Sequence, residues 1–167
     1  MADPRIARLT VASPLGALAV SARDGAIVAL DWGLAPVEDR SNLLLTAAQQ
    51  LDAYFYCELH AFDLPLAPAG SPFQQAVWRE MLAIPRGRTR TYGEIAARLS
   101  GAARAVGMAC GANPIPIIIP CHRVLAAGGR MGGYSGRGGV TTKRFLLELE
   151  GARPAPDETG QLSLALP

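Results

Sequence analysis

The sequence predicts an α+β protein built from two small domains. Three features carry that expectation. Short strand-like runs separated by turn residues fill the first thirty-odd positions, a Pro68-Ala69-Gly70 break follows, and four helix starts punctuate the second half. A chain of 167 residues, half of them apolar, can bury a core in each part. The expected boundaries are residues 1–70, 71–151 and a tail at 152–167, whose three prolines and polar residues suit disorder.

Along the first part, Thr10-Val11-Ala12 and Leu18-Ala19-Val20 flank the turn Ser13-Pro14-Leu15-Gly16, and Asp24-Gly25 separates the second run from Ile27-Val28-Ala29-Leu30. This is the pattern of a three-stranded meander. Ser41 or Asn42 can cap a helix whose apolar positions Leu44, Ala48, Leu51 and Phe55 recur at helical period, giving one face to pack on the sheet. Phe62 to Leu66 reads as a further strand.

In the second part, Ser71-Pro72-Phe73-Gln74 is a capping box with proline at the first helical position, opening a helix through Val77, Met81 and Leu82 that Pro85 stops. Thr91-Tyr92-Gly93-Glu94 is a second box, for a short helix with Ile95, Ala96 and Leu99 on one face and Ser100-Gly101 at its end. Ala102 to Ala109 then starts a third helix, closed by Gly111 and Pro114. Two short helices joined by a glycine-containing turn have the spacing of a helix-turn-helix or of an ordinary helical hairpin. The glycine-rich stretch Gly128 to Gly139 lacks the Gly-Lys-Ser/Thr ending of a phosphate-binding loop, which argues against a nucleoside triphosphate site and leaves a wing or a wall. Thr141 or Thr142 is expected to cap a last helix through Phe145, Leu146 and Leu149 to Glu150, with Gly151 as its stop.

Charge is distributed unevenly. Residues 1–70 carry a net −4 and residues 71–151 a net +7. A basic half joined to an acidic one fits a polyanion-binding module on a support domain, or simply a solvated charged face. Of the 16 basic residues only Lys143 is lysine, which hints that a compact ammonium is needed there. No apolar run approaches the length that crosses a bilayer, and Asp3, Pro4, Arg5 and Arg8 stand where a signal peptide has its apolar region, so a cytoplasmic location is expected. The three cysteines, Cys57, Cys110 and Cys121, are too few and too irregular for a disulfide framework, as in a reducing compartment.

The chemistry concentrates at Pro120-Cys121-His122-Arg123-Val124, after the apolar run Ile117-Ile118-Ile119. A thiolate is the nucleophilic form of cysteine, and His122 and Arg123 are placed to favour it. A buried cysteine capping a strand is the other reading of the same pair.

Arg104-Ala105-Val106-Gly107, Asn113-Pro114, Ile119 to Val124, Gly133-Tyr134-Ser135-Gly136 and Lys143 to Glu150 together resemble the O6-alkylguanine-DNA alkyltransferase family. The likeness runs through residues 71–151 in order. It implies a ribonuclease-H-like α/β domain before a helical domain with a winged helix-turn-helix. It also implies irreversible transfer of an alkyl group from guanine O6 in duplex DNA to the protein's own cysteine after base flipping, with no cofactor and no metal. Carried over by motif, Cys121 is the acceptor, His122 takes its proton and Glu150 orients the imidazole. Tyr92 donates a proton to the departing base and Asn113 ties the helix pair to the segment of the cysteine. Tyr134, Ser135, Lys143 and Val124 wall the pocket. Arg104 fills the gap in the base stack, and Ala105 and Gly107 let the helix approach the minor groove. Arg123, Arg86, Arg88 and Arg90 are candidates for phosphate contacts, Arg123 alternatively for an internal salt bridge. The expected partner is double-stranded DNA, bound by a monomer that may assemble cooperatively. The stretch from Tyr134 to Lys143 is about two residues longer than the resemblance implies, and Arg137 extends it.

Three rival readings bear on the same residues. Alkyltransferase-like proteins bind such lesions without a cysteine, which Cys121 opposes. A DNA-binding regulator would leave the Cys-His-Glu set without a purpose. A zinc site starting from Cys57 and His60 would consume Cys121 or His122 to complete four ligands.

Overall fold

The computed structural model describes residues 5–155; most of the expected tail at 152–167 lies outside the described residues. By contact the chain forms two units. The first takes residues up to Ala69 together with Pro114–Ile118, and the second takes Gly70–Asn113 and the chain from Ile119 onward. A contiguous division at residue 70 therefore misses one short excursion, Pro114–Ile118.

In the first unit β1 (Ala7–Val11), β2 (Leu18–Arg23) and β3 (Ala26–Trp32) form an antiparallel meander in the order β1-β2-β3. Asp24 and Gly25 both have positive φ, 51° and 78°, the geometry of the tight two-residue hairpin turn that matches strand twist. Helix α1 (Asn42–Phe55) is capped by Ser41, whose hydroxyl accepts from Leu44 N, and packs on β1 and β2. Its buried stripe is Leu44, Ala47, Leu51 and Tyr54, so Ala48 and Phe55, expected on that face, lie at its edge. Phe62 to Leu66 is not a strand. Gln50 takes both the N–H and the C=O of Asp63, at 2.8 and 2.9 Å, and Pro65 has no N–H, so the segment meets β3 only in a single parallel bridge of Leu66 to Ile27, made by Ile27 N donating to Pro65 O and Ala67 N donating to Ile27 O. The excursion Pro114–Ile118 is held to the same strand by Leu30 N donating to Pro114 O, at 2.9 Å.

In the second unit, α2 (Pro72–Leu82) and α3 (Tyr92–Arg98) both open with the capping boxes read from sequence, Ser71 with Gln74 and Thr91 with Glu94. The turn after α3 is a Schellman motif: Gly101 N donates to Ala96 O and Ser100 N to Ala97 O, with Ser100 at φ 52°. Helix α4 (Ala103–Gly111) follows directly and packs on α2 and α3, where the buried Trp78 indole donates to Ala109 O at 2.9 Å. Strand β4 (Arg90–Thr91) pairs in parallel with β5 (Val124–Leu125), which sets the start of α3 beside the segment that follows Cys121. Helix α5 (Val140–Leu149) is capped by Gly139, not by Thr141 or Thr142. Thr142 instead donates its hydroxyl back to Arg137 O, at 2.5 Å. A Schellman motif closes α5: Ala152 N donates to Leu147 O and Gly151 N to Glu148 O, with Gly151 at φ 76°. Leu125, Leu147 and Ala152 are buried together there, with Met131 against them.

Candidate active site

Cys121 opens a single turn of 3-10 helix (Cys121–Arg123), not a strand end. Two prolines explain the difference, since neither Pro116 nor Pro120 can donate to a ladder. The backbone instead makes two γ-turns, Ile118 N to Pro116 O and Cys121 N to Ile119 O, both at 2.9 Å. The first holds Ile117 at φ 72°, a strained value for a β-branched residue. Asn113 clamps the two ends of the excursion, its Nδ2 donating to Ile119 O at 2.8 Å.

A cavity of about 300 Å³ lies against this turn. Tyr92 of α3, Gly107, Cys110 and Gly111 of α4, Cys121, and Gly133, Tyr134 and Ser135 of the glycine-rich loop line it. The loop is thus a wall. A wider concavity of about 490 Å³ in the first unit, lined by Arg5, Arg8 and Arg23 among others, contains neither thiol nor imidazole. Cys121 is buried, and burial pushes its thiol pKa up; Asn113, the Lys143 ammonium and Tyr134 pull the other way without prevailing. The buried Tyr134 hydroxyl favours the thiolate by its proximity, yet makes no hydrogen bond of normal geometry. Burial raises Tyr92 to about 12, so its phenol keeps its proton.

Behind the cysteine lies a buried ionic group. Glu150 accepts from His122 Nε2 at 2.7 Å and from Arg123 Nε and Nη2, both at 2.9 Å, while Arg123 Nη1 donates to Ile84 O at 2.6 Å. Burial alone would raise the Glu150 pKa, but the hydrogen bonds from His122 and Arg123 outweigh it and hold the carboxyl well below its ordinary range. Burial lowers the His122 pKa despite Glu150, leaving the imidazole neutral at pH 7. A carboxylate can only accept, so the neutral ring carries its proton on Nε2 and its lone pair on Nδ1. Nδ1 is buried and has no hydrogen-bond partner among the described residues. Of the two roles open for Arg123, the structure shows the internal salt bridge and not a DNA contact: it is 7% exposed and forked onto Glu150, turned away from where a phosphate would lie.

Lys143 also differs from its expected place. It is fully buried and its Nζ donates to Val124 O (2.6 Å) and Gly133 O (3.0 Å), so it straps the cavity wall to β5 and does not itself line the cavity. The Tyr92 ring lies 5.7 Å from Nζ, and burial lowers this lysine to about 8. Val124 is wholly buried and contributes its carbonyl. Of the other arginines, Arg86 donates to Leu149 O and Arg90 pairs with Glu80, whereas Arg88 and Arg104 are exposed. Arg104 is the second residue of α4, and Ala105 and Gly107 are half-buried along the same helix.

The sequence reading missed one wall residue. Cys110 is buried like a core residue, with its Sγ 3.6 Å from Met81 Sδ and its pKa raised by burial to about 12, yet it also faces the cavity. Its spacing from Gly107 and Gly111 was the available signal, because those positions share one side of a helix. Cys57 is exposed just beyond the end of α1, at φ 62°.

Comparison with known proteins agrees with this constellation. Residues 6–68 match the model of the 6-O-methylguanine DNA methyltransferase ribonuclease-like domain, and residues 72–152 match that of its DNA binding domain. The methylated-DNA–protein-cysteine methyltransferase of Mycolicibacterium paratuberculosis is 45% identical over 84% of this chain and 90% of its own length. The chain belongs to the 6-O-methylguanine DNA methyltransferase family. The corresponding Mycobacterium tuberculosis enzyme is 55% identical over 68% of each chain. The crystal structure of Mycobacterium tuberculosis OGT in complex with DNA superposes with a TM-score of 0.78 at 45% identity, covering 86% of this chain and 92% of that one. Its activity is that of this family, DNA repair by alkyl transfer to a protein cysteine. No helix among the described residues is long and apolar enough to cross a membrane.

Proposed function

We propose that Cys121 is the alkyl acceptor and that it repairs O6-alkylguanine in duplex DNA, one alkyl group per chain. The observation that carries this reading is the neutral His122, next in sequence to a buried thiol, locked by Glu150 through Nε2 and left with a buried Nδ1 that has no partner among the described residues. The Cys121 sulfur attacks the alkyl carbon, the carbon–O6 bond breaks, and its electron pair goes to the base. The thiol proton passes to His122 Nδ1 through a bridging water, and the imidazolium so formed is stabilised by Glu150, which Arg123 keeps ionised. Tyr92 gives the departing base a proton. The balance closes with substrate and chain alone. The product is a thioether, from which nothing in this site regenerates a thiol.

An alkylated base inside a duplex has to leave the stack to meet a buried thiol. In our reading α4 enters the minor groove, Arg104 takes the place of the extruded base, and Ala105 and Gly107 permit close approach of the helix backbone. Tyr134 and Ser135 close over the base, held there by the Lys143 strap, and Asn113 fixes the turn that presents Cys121. The protein acts as a monomer in the cytoplasm. The test is to titrate a duplex bearing a single O6-methylguanine with the protein and count the guanine restored. Restoration should equal the moles of protein and stop, and Cys121→Ser should restore none; continued restoration beyond one equivalent, or activity in the serine variant, defeats the reading.

A further inference from the structure

Helix α4 displays two long side chains on an otherwise small-residue surface. Its buried positions are Val106, Ala109 and Cys110. On the other side the residues are Ala103, Arg104, Ala105, Gly107, Met108 and Gly111, of which only Arg104 and Met108 extend beyond a methyl group. The two stand four residues apart, one turn along the same face. Met108 is 71% exposed, unusual for a flexible thioether that more often fills cores. It is flanked in sequence by Gly107, and Gly111 lies one turn further on; both glycines line the cavity that holds Cys121. Met108 does not itself line that cavity; its exposed side chain stands on the solvent side of the helix that carries the two glycines, on the face it shares with Arg104.

We propose that Met108 is a positioning residue for the alkyl transfer, an apolar wedge that enters the minor groove of duplex DNA one helical turn from Arg104. The inference rests on the proposed approach of α4 to the groove. Methionine belongs to the side chains that wedge between base steps, and unstacking a step lowers the cost of extruding the neighbouring base. Arg104 supplies charge and hydrogen bonds to the vacated position. Met108 supplies dispersion contact without a sequence preference, which suits a protein that has to find lesions in any context. The small residues around both let the helix lie deep enough for the thioether to reach.

The experiment compares Met108→Ala, Met108→Gln and Met108→Leu with the natural chain and with Arg104→Ala. Two rates are measured for each: methyl transfer from an O6-methylguanine duplex, and transfer from O6-methylguanine supplied as the free base. The ratio of duplex to free-base rate should fall by roughly tenfold in the Ala and Gln variants, the scale of a partly lost unstacking contact, and recover in the Leu variant. Gln has the length of Met but is polar, so its failure beside the success of Leu identifies an apolar contact. A ratio unchanged in Met108→Ala and Met108→Gln but reduced in Arg104→Ala overturns the wedge and leaves the groove reading standing. A ratio unchanged in Arg104→Ala as well overturns the groove reading itself. Equal loss on both substrates would place Met108 in the support of the cavity and also overturn the wedge.

Discussion

At the scale of single residues, the His122-Glu150-Arg123 group dominates, because its three side chains are charged or polar and buried, His122 and Glu150 completely and Arg123 to all but 9% of its side chain. Removing one partner of such a group leaves the others buried without compensation. Glu150→Gln should therefore cost about 3 to 5 kcal/mol at pH 7, read as a lower urea midpoint. The sign of the pH dependence follows from the depressed Glu150 value. Its stabilisation is complete above the ordinary glutamate value of about 4.5 and is lost as the pH falls through the lower folded value, so the gap between the natural chain and Glu150→Gln should close in acid. Lys143 behaves oppositely. Its folded value of about 8 lies under the ordinary 10.5, so the unfolded chain holds the proton more tightly and stability should rise between about pH 8 and 10.5; Lys143→Met should lack that rise. For the chemistry, His122→Gln should slow transfer by about 10² to 10⁴, the usual worth of a positioned general base, when followed by single-turnover kinetics.

At the scale of elements, local signals in the sequence and the structure agree where the physics is local. Asp24-Gly25, Ser71 with Gln74 and Thr91 with Glu94 are short-range devices whose hydrogen bonds close within a few residues, and each was legible from residue types alone. Pro114 to Pro120 was not legible as what it is. Three isoleucines in a row satisfy a strand pattern, while the two prolines beside them forbid the ladder, and only the folded chain shows that γ-turns accommodate both. For Arg123 the sequence left a phosphate contact and an internal salt bridge open, and for Lys143 it suggested the cavity wall; a buried carboxylate and two backbone carbonyls from segments distant in sequence decide both. The cap of α3 offers a direct test. Thr91→Ala removes the hydroxyl that holds Glu94 N and should cost about 1 kcal/mol. Tyr92 is the next residue and lines the cavity, so the same change should slow transfer even where the protein remains folded.

At the scale of the whole molecule, the charge difference between the two parts acquires a meaning from which arginines are spent internally. Arg86, Arg90 and Arg123 are bound to protein groups, whereas Arg88 and Arg104 are exposed, and the proposed reading assigns the phosphates to such exposed residues. Arg88→Ala should lower the slope of log affinity against log salt by about one, whatever the DNA sequence. In the proposed reading the division of labour follows the chain: a small-residue helix for the groove, a cavity for one extruded base, and a thiol followed by the hydrogen-bonded pair of His122 and Glu150. The most direct test of this account is the intact mass of the protein, with peptide mapping, before and after incubation with duplex DNA containing O6-methylguanine. The account predicts a gain of one methyl group per chain, located on Cys121 and absent from Cys121→Ser. A methyl group on Cys110 or Cys57, or no gain while the lesion disappears from the DNA, would contradict it.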